Sequence, residues 1–429
     1  MRGHSRTYLV AISIALLISV ILMGCQQAAA PTPAKPTAPA GPIKIGLLTD
    51  LTGPIAASSV PGYESISDWY KYVNDNLSGI QGHKVEIVVV DTKYDNNLAV
   101  SGFEKLATMD KVNYVWIAAA NLQPSVKPLS EKYRIPCSGP TEMTVLLPNT
   151  PNSFMFGAIP TYADFYRATF TYIKQNWTKS DPPRIGIMGL DASFAKSTIK
   201  PVKWMLENEL KWPVVSEEWA TMAATDVTSQ VTNLKNAKCD YILLVSTGAP
   251  QLIFQKTAKA AGLLDQSIII DTFITQMLSF RKLDPAATTG LWSHSPCALM
   301  DMATEVPILN TISGIHKASR PSAPPLDWIR IVNYGGAIAI QEIMDKTITK
   351  YGYDKLTGDN TKWIMENQMK GSTSQGILGT CPWTPTQHAA YHEAILVKTT
   401  PDMGLQILQK WMPMPPWPDQ ALDVSFWKL

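Results

Sequence analysis

Val85 to Val90 reads VEIVVV, a near-continuous apolar run of the kind expected of a strand covered on both faces. Upstream, Ile43 to Leu48 (IKIGLL) is a second β-type run. Between them Tyr63, Ile66, Tyr70, Val73 and Leu77 recur at spacings of three and four, one face of an amphipathic helix over Gly62 to Leu77. Downstream the spacing predicts a helix around Leu98 to Met109 and a strand from Tyr114 to Ala120. A helix marked by Val126, Leu129 and Tyr133 and a short strand from Ile135 follow. That order is βαβαβ, which implies a parallel sheet with helices on both sides.

The pattern restarts after Pro160. A helix carrying Tyr166, Phe170, Ile173 and Trp177 leads to the strand Arg184 to Leu190 (RIGIMGL), and a helical segment lies near Val202 to Leu210. Thr225 or Asp226 can cap a helix with Val227, Val231 and Leu234. The strand Tyr241 to Val245, a helix closed by Gly262 and the strand Ser267 to Ile270 complete a second doubly wound unit, which ends at Asp271. From Thr288 onward only Trp328 to Ile348 reads as a clear helix. The Pro- and Trp-rich end, including MPMPPWP from Met412, suggests a tail packed over the two units.

The N-terminus has its own logic. Arg2, His4 and Arg6 precede Tyr8 to Met23, sixteen residues without a charge. As a helix they would cover roughly 24 Å, short of a ~30 Å hydrocarbon core, so the stretch reads as a signal peptide. Leu22-Met23-Gly24-Cys25 resembles the bacterial lipobox, which implies lipidation at Cys25 and a signal peptide over 1–24. Gln26 to Pro42, with five prolines among small residues, cannot bury enough surface to fold and reads as an extended tether over 25–42.

A net charge of +2 with 17% charged residues forms no basic stripe, which argues against nucleic acid as a partner. No later segment is long and apolar enough to span a bilayer. Cys137, Cys239, Cys297 and Cys381 lack the clustered spacing of a disulfide scaffold. Cys137 and Cys239 adjoin strand-like runs and read as buried thiols, and Cys297 and Cys381 either pair or stay reduced.

Several stretches taken in order resemble the periplasmic binding proteins of branched-chain amino acid ABC transporters. In the first unit these are IKIGLLTDLTGPIA, VEIVVVDTKYDNNLAV and YVWIAAANLQPSVKPLSEKYRIPCSGPTE. In the second they are RIGIMGLDASFA and CDYILLVSTGAPQLIFQKTAKAAGL, and GILGTCPWTPTQHAAYHEAILVK matches a late segment. The chain departs from that pattern at LSGIQG, where a double glycine usually stands, and in its Trp content. The resemblance implies a type I, Venus-flytrap architecture: two doubly wound parallel-sheet lobes joined by a three-strand hinge. On that scheme 43–160 plus 296–378 form one lobe, and 161–295 plus 379–429 form the other with the tail. It further implies an exported, lipid-anchored, monomeric receptor with no cofactor. Such a receptor would capture an amino acid or a related carboxylate or amide by hinge closure and deliver it to a membrane permease.

Ligands of open α/β sheets bind beyond the C-terminal strand ends. The strand from Tyr114 delivers Ala119, Ala120 and Asn121 there, with Asn121 as an expected N-cap and Pro124 in the first turn. Residue types alone leave open an ordinary capped helix, whereas the resemblance puts a carboxylate-binding turn at this place. It also implies contacts from Thr141, Glu142 and Ser58 in the first lobe. Tyr162, Thr247, Ala249, Asp271 and Phe273 are implied in the second, and Tyr334 further on. Asp271 is either the partner of a ligand ammonium or a turn-capping acid. An alanine at 249, where the family places an aromatic, weakens any assignment to leucine itself.

Enzyme readings find little support. G-x-S-x-G, Walker A and post-strand G-x-G-x-x-G motifs are all missing. His388 and His392 stand four apart, but Tyr391 to Val397 reads as a strand start, which would hold the imidazoles about 13 Å apart rather than on one metal. A ligand sensor of the same fold that reports to a membrane protein remains an alternative to a transport receptor.

Overall fold

The structure, a computed structural model, describes residues 41–140, 153–272, 282–388, 393–402, 404–418 and 421. Its first sheet has strand order β2-β1-β3-β4, all parallel. The strands are β1 (Ile43–Thr49), β2 (Val85–Asp91), β3 (Tyr114–Ile117) and the two-residue β4 (Cys137–Ser138). Helices α1 (Ala56–Asn76), α2 (Asn96–Lys105) and α3 (Gln123–Tyr133) make the crossovers. Asp95 caps α2 by accepting from the Asn97 and Leu98 amides, as a short acidic side chain does at a helix start.

The second sheet runs β11-β10-β9-β8-β7-β5-β6. Five strands are mutually parallel: β5 (Ile185–Leu190), β6 (Val214–Ala220), β7 (Tyr241–Val245), β8 (Ile268–Asp271) and β9 (Trp292–Ser295). Helices α4 (Tyr162–Asn176), α5 (Ser193–Met205), α6 (Thr228–Asn236) and α7 (Gly248–Ala260) pack on them. Two sequence expectations change here. The sheet is mixed, because β10 (Glu393–Thr399) pairs antiparallel with β9 and β11 (Leu405–Pro413) antiparallel with β10. The late segment is therefore no mere covering tail. It extends the second sheet by two strands, and each satisfies the edge of the strand before it.

After β9 the chain returns to the first sheet as α8 (Ile308–Ser319), α9 (Trp328–Tyr351) and α10 (Gly358–Gln368). Helix α9 lies along α1: Trp69 Nε1 donates to Gln341 Oε1 at 2.9 Å, and the Tyr70 hydroxyl donates to the Ala337 carbonyl at 3.0 Å. The chain passes between the lobes three times, after the Cys137–Met155 bridge, at the Cys297–Leu378 bridge, and from Leu378 toward β10. Each sheet thus has its own helical layers, and the chain joins the two at these crossings. The fold is the two-lobe, doubly wound arrangement, with a core of buried aliphatic and aromatic side chains in each lobe. Cys137, Cys239, Cys297 and Cys381 are all buried thiols, so no disulfide joins Cys297 to Cys381. Among the described residues no helix is long and apolar enough to cross a membrane.

Candidate functional site

In the first sheet the winding direction reverses between β1 and β3, and in the second between β5 and β7. The chain diverges at such switch points and leaves a crevice beyond the strand ends. Both crevices open into one cleft of about 960 Å³. From the first switch point come Thr49 and Ala118 to Asn121, and from the second Phe194 and Thr247. Tyr162 adds a wall from α4, and α1 and α9 add Ser58, Ser59, Tyr63, Trp328 and Asn333. Beneath them Leu47, Ile66, Trp116 and Val332, each no more than 2% exposed, form a deep apolar wall inside the first lobe.

Local rules explain how these groups are presented. Thr161 and Asp164 form a capping box, with side chain and backbone bonded in both directions, which sets Tyr162 as the first residue of α4. Gly248 takes a left-handed φ of +65° between Thr247 and the body of α7, a conformation glycine adopts without strain. Ser58 donates its hydroxyl to the Ile55 carbonyl at 2.9 Å, so it meets the cleft from the first turn of α1. Asp50 accepts from the Gly53 and Ile55 amides and organises the loop into that helix.

The structure brings together Ser58, Ala119, Ala120, Asn121, Tyr162 and Thr247 around the cleft. It holds three other expected residues elsewhere. Ala249 is exposed in the first turn of α7, one step beyond the lining. Asp271 is fully buried, and its Oδ2 accepts from Gln251 Nε2 at 2.6 Å and Gln255 Nε2 at 2.8 Å. Those two bonds tie β8 to α7, so this carboxylate is engaged inside its lobe and is not among the lining groups. Tyr334 is fully buried on α9 behind the wall, and burial pushes its phenol well above the usual range. Thr141, Glu142, Phe273, His392 and Cys25 lie outside the described residues.

Asn121 is not an N-cap. The extended residue is Ala119, after which a 3-10 turn over Ala120–Leu122 runs straight into α3, with Pro124 in its first turn. The Asn121 side chain is left to line the cleft, and its Oδ1 has no hydrogen-bond partner among the described residues. The same holds for Thr49 Oγ1 and Trp328 Nε1. No charged side chain among the described residues lines the cleft. Burial, then the charge of Asp50, pushes the Tyr94 phenol up, so it lines the cleft as a neutral hydroxyl. Sequence reasoning missed Trp116, Tyr94, Phe194, Trp328 and Asn333. Phe194 alone carried a signal, since it follows the end of β5 as Asn121 follows the end of β3.

His388 is 3% exposed, its Nε2 meets Glu366 Oε1 at 2.9 Å, and its ring stacks on Phe156 at 3.9 Å. Among the described residues no group of three or more His, Cys, Asp or Glu could hold a metal ion.

Two doubly wound lobes whose switch points share one cleft define a two-lobe ligand-binding protein of type I. A family model described as periplasmic binding protein matches residues 42–402, and the chain belongs to that family. Solved structures agree on the fold. A branched chain amino acid ABC transporter protein from Thermus thermophilus with bound valine is 16% identical, with a TM-score of 0.76 over 89% of this chain and 99% of that one. A fatty acid ABC transporter substrate-binding protein from Thermomonospora curvata is 19% identical, with a TM-score of 0.73 over 89% and 94%. An ABC transporter substrate binding protein from Aeropyrum pernix is 17% identical, with a TM-score of 0.74 over 89% and 98%.

Proposed function

We propose that the protein is the substrate-binding component of an ABC importer that captures a small organic carboxylate, amide or amino acid between its lobes. The observation that carries this reading is the single cleft onto which both switch points open, walled by Asn121 and Ser58 on one side and Tyr162 and Thr247 on the other. The named ligands of two similar proteins, valine and a fatty acid, are both acids with apolar bodies, in keeping with a cleft of this chemistry.

Ligand lands on the first lobe at Ala119, Ala120 and Asn121, and the second lobe closes over it by rotation about the three crossings. Closure changes the outer surface offered to the permease, a population shift driven by differential affinity for the closed state. Lipidated Cys25 and the tether to Pro42 hold the body, as a monomer, near the membrane that carries the permease.

A thermal-shift panel of amino acids, amides, aliphatic acids and aromatic acids tests the reading. A binder at 100 times its Kd adds about 2.7 kcal/mol to stability. At least one class should raise the midpoint, and the hit should also restore uptake in cells only when this protein is present. A panel with no shift in any class would sink it.

A further inference from the structure

Resting on that reading, the cleft's chemistry narrows the ligand. An α-amino acid presents two opposite charges, and its ammonium needs acceptors, preferably a carboxylate. Three acids beside the described cleft are already engaged: Asp50 by the Gly53 and Ile55 amides, Asp271 by Gln251 and Gln255, and Asp164 within its capping box. None of them is a lining residue.

What the cleft does present favours a negative charge. Helices α5 and α7, of 13 residues each, start at the cleft with Phe194 and Thr247 near their first turns, whereas the start of α4 already holds the Asp164 carboxylate. Helix starts carry about +0.5 charge each, so an ammonium placed among them is repelled and a carboxylate attracted. Independently of the helix ends, Trp328 Nε1 and Thr49 Oγ1 are buried donors without a partner among the described residues, on side chains 7% and 2% exposed that line the cleft. An indole N–H can only donate. Below them the wall of Leu47, Ile66, Trp116 and Val332 offers only apolar and aromatic surface.

We infer that the ligand is an organic acid with a branched-alkyl or aryl body and no α-ammonium group. Its body seats against Trp116, Ile66 and Val332, and its carboxylate faces the helix starts and the free donors.

Calorimetric titration of the purified full chain with matched probes tests this: 4-methylpentanoate against leucine, and 3-phenylpropionate against phenylalanine and against 3-phenylpropionamide. At least one acid should bind ten-fold or more tightly than both its α-amino counterpart and its amide. Trp328→Phe and Thr49→Val should each weaken that acid at least three-fold while leaving the midpoint of the ligand-free protein in place. Amino acids that bind as tightly as the acids overturn the inference and leave the importer reading standing. An amide equal to the acid overturns the anionic head group. Silence from every probe here, with a hit of another class in the wider thermal-shift panel, overturns the inference alone. Silence in both experiments removes the importer reading as well.

Discussion

The indole of Trp116 donates its Nε1–H to Asn333 Oδ1 at 3.1 Å, a buried bond that joins β3 to α9 across the floor of the cleft. Asn333 is held in turn, its Nδ2 donating to the Ile329 carbonyl at 2.8 Å. The ring that forms the apolar wall is thus fixed by a helix more than two hundred residues later in the chain. A fully satisfied buried pair of this kind specifies one ring orientation, which a binding wall requires.

Gly336 leaves the room for that ring. A Cβ at this position would meet the far edge of Trp116 at 2.3 Å, closer than any tolerated contact. Gly336→Ala should push the indole toward the cleft and cost about 1–3 kcal/mol of stability through overpacking. Ligand affinity should fall at least ten-fold by calorimetry. A variant that binds as the parent does would show that Trp116 is not part of the binding wall.

Asp271 offers a sharper separation of structure from binding. Its Oδ2 is the shared acceptor of Gln251 and Gln255, and hydrogen bonds to a charged acceptor contribute about 1.5–3 kcal/mol. Asp271→Asn should therefore lower the midpoint of urea unfolding, while ligand affinity changes less than two-fold. Lost affinity with unchanged stability would return Asp271 to the site as an ammonium partner.

The misplacement of Asp271 shows where sequence reasoning stops. Strands β1, β5, β7 and β8 were legible because each is an apolar run buried within a parallel sheet, whereas β2 was legible from its apolar run alone. It is an edge strand with only Val85 buried and Val89 37% exposed, not the strand covered on both faces that the run suggested. Strand β6 (VVSEEWA) was not legible, because it is a half-exposed edge whose polar residues break the run. Strand β9 (WSHS) was not either, since its buried serines are satisfied by tertiary partners, Ser293 donating to the Asp271 carbonyl at 2.9 Å. A strand-end acid reads alike whether it turns to the cleft or to its own helical layer. Asn121 was legible because the strand-end rule needs only strand order, and Thr247 came only from the family resemblance; both line the cleft. Trp328 and Asn333 depend on the return of α9 to the first lobe, which no local pattern encodes.

The acid limit of stability should be set in part by His294. It is fully buried, stacked on Phe165 at 5.1 Å, and burial depresses its pKa to about 3. The folded protein keeps this ring neutral, whereas the unfolded chain takes up a proton below about pH 6.5. The contribution is fully present above pH 6.5 and is lost as pH falls toward 3, at about 1.4 kcal/mol per unit. His388 acts with the same sign, burial lowering its pKa against the pull of Glu366. Urea unfolding between pH 7 and 5 should show a shallower loss for His294→Gln than for the parent. Parallel slopes would mean that this ring is protonated in the fold.

Behind the cleft wall, Arg320 clamps α1 to the turn before α9. Its Nε and Nη2 reach Asp68 at 2.7 and 3.1 Å, its Nη1 reaches Glu64 at 2.9 Å, and Arg330 shares Glu64 at 3.1 Å. Exposed pairs contribute up to about 1 kcal/mol, while breaking a buried one costs about 3–5 kcal/mol. Asp68 is 6% exposed, so Arg320→Ala leaves it charged and unmatched by this arginine. The expected loss is about 2–3 kcal/mol, between those limits. Removing Asp68 as well should recover part of it, because the stranded charge goes too. A single-variant loss below about 1 kcal/mol would place the cluster among ordinary surface pairs. In that case the seat of α1 against α9 would rest on apolar packing and on the bonds from Trp69 and Tyr70.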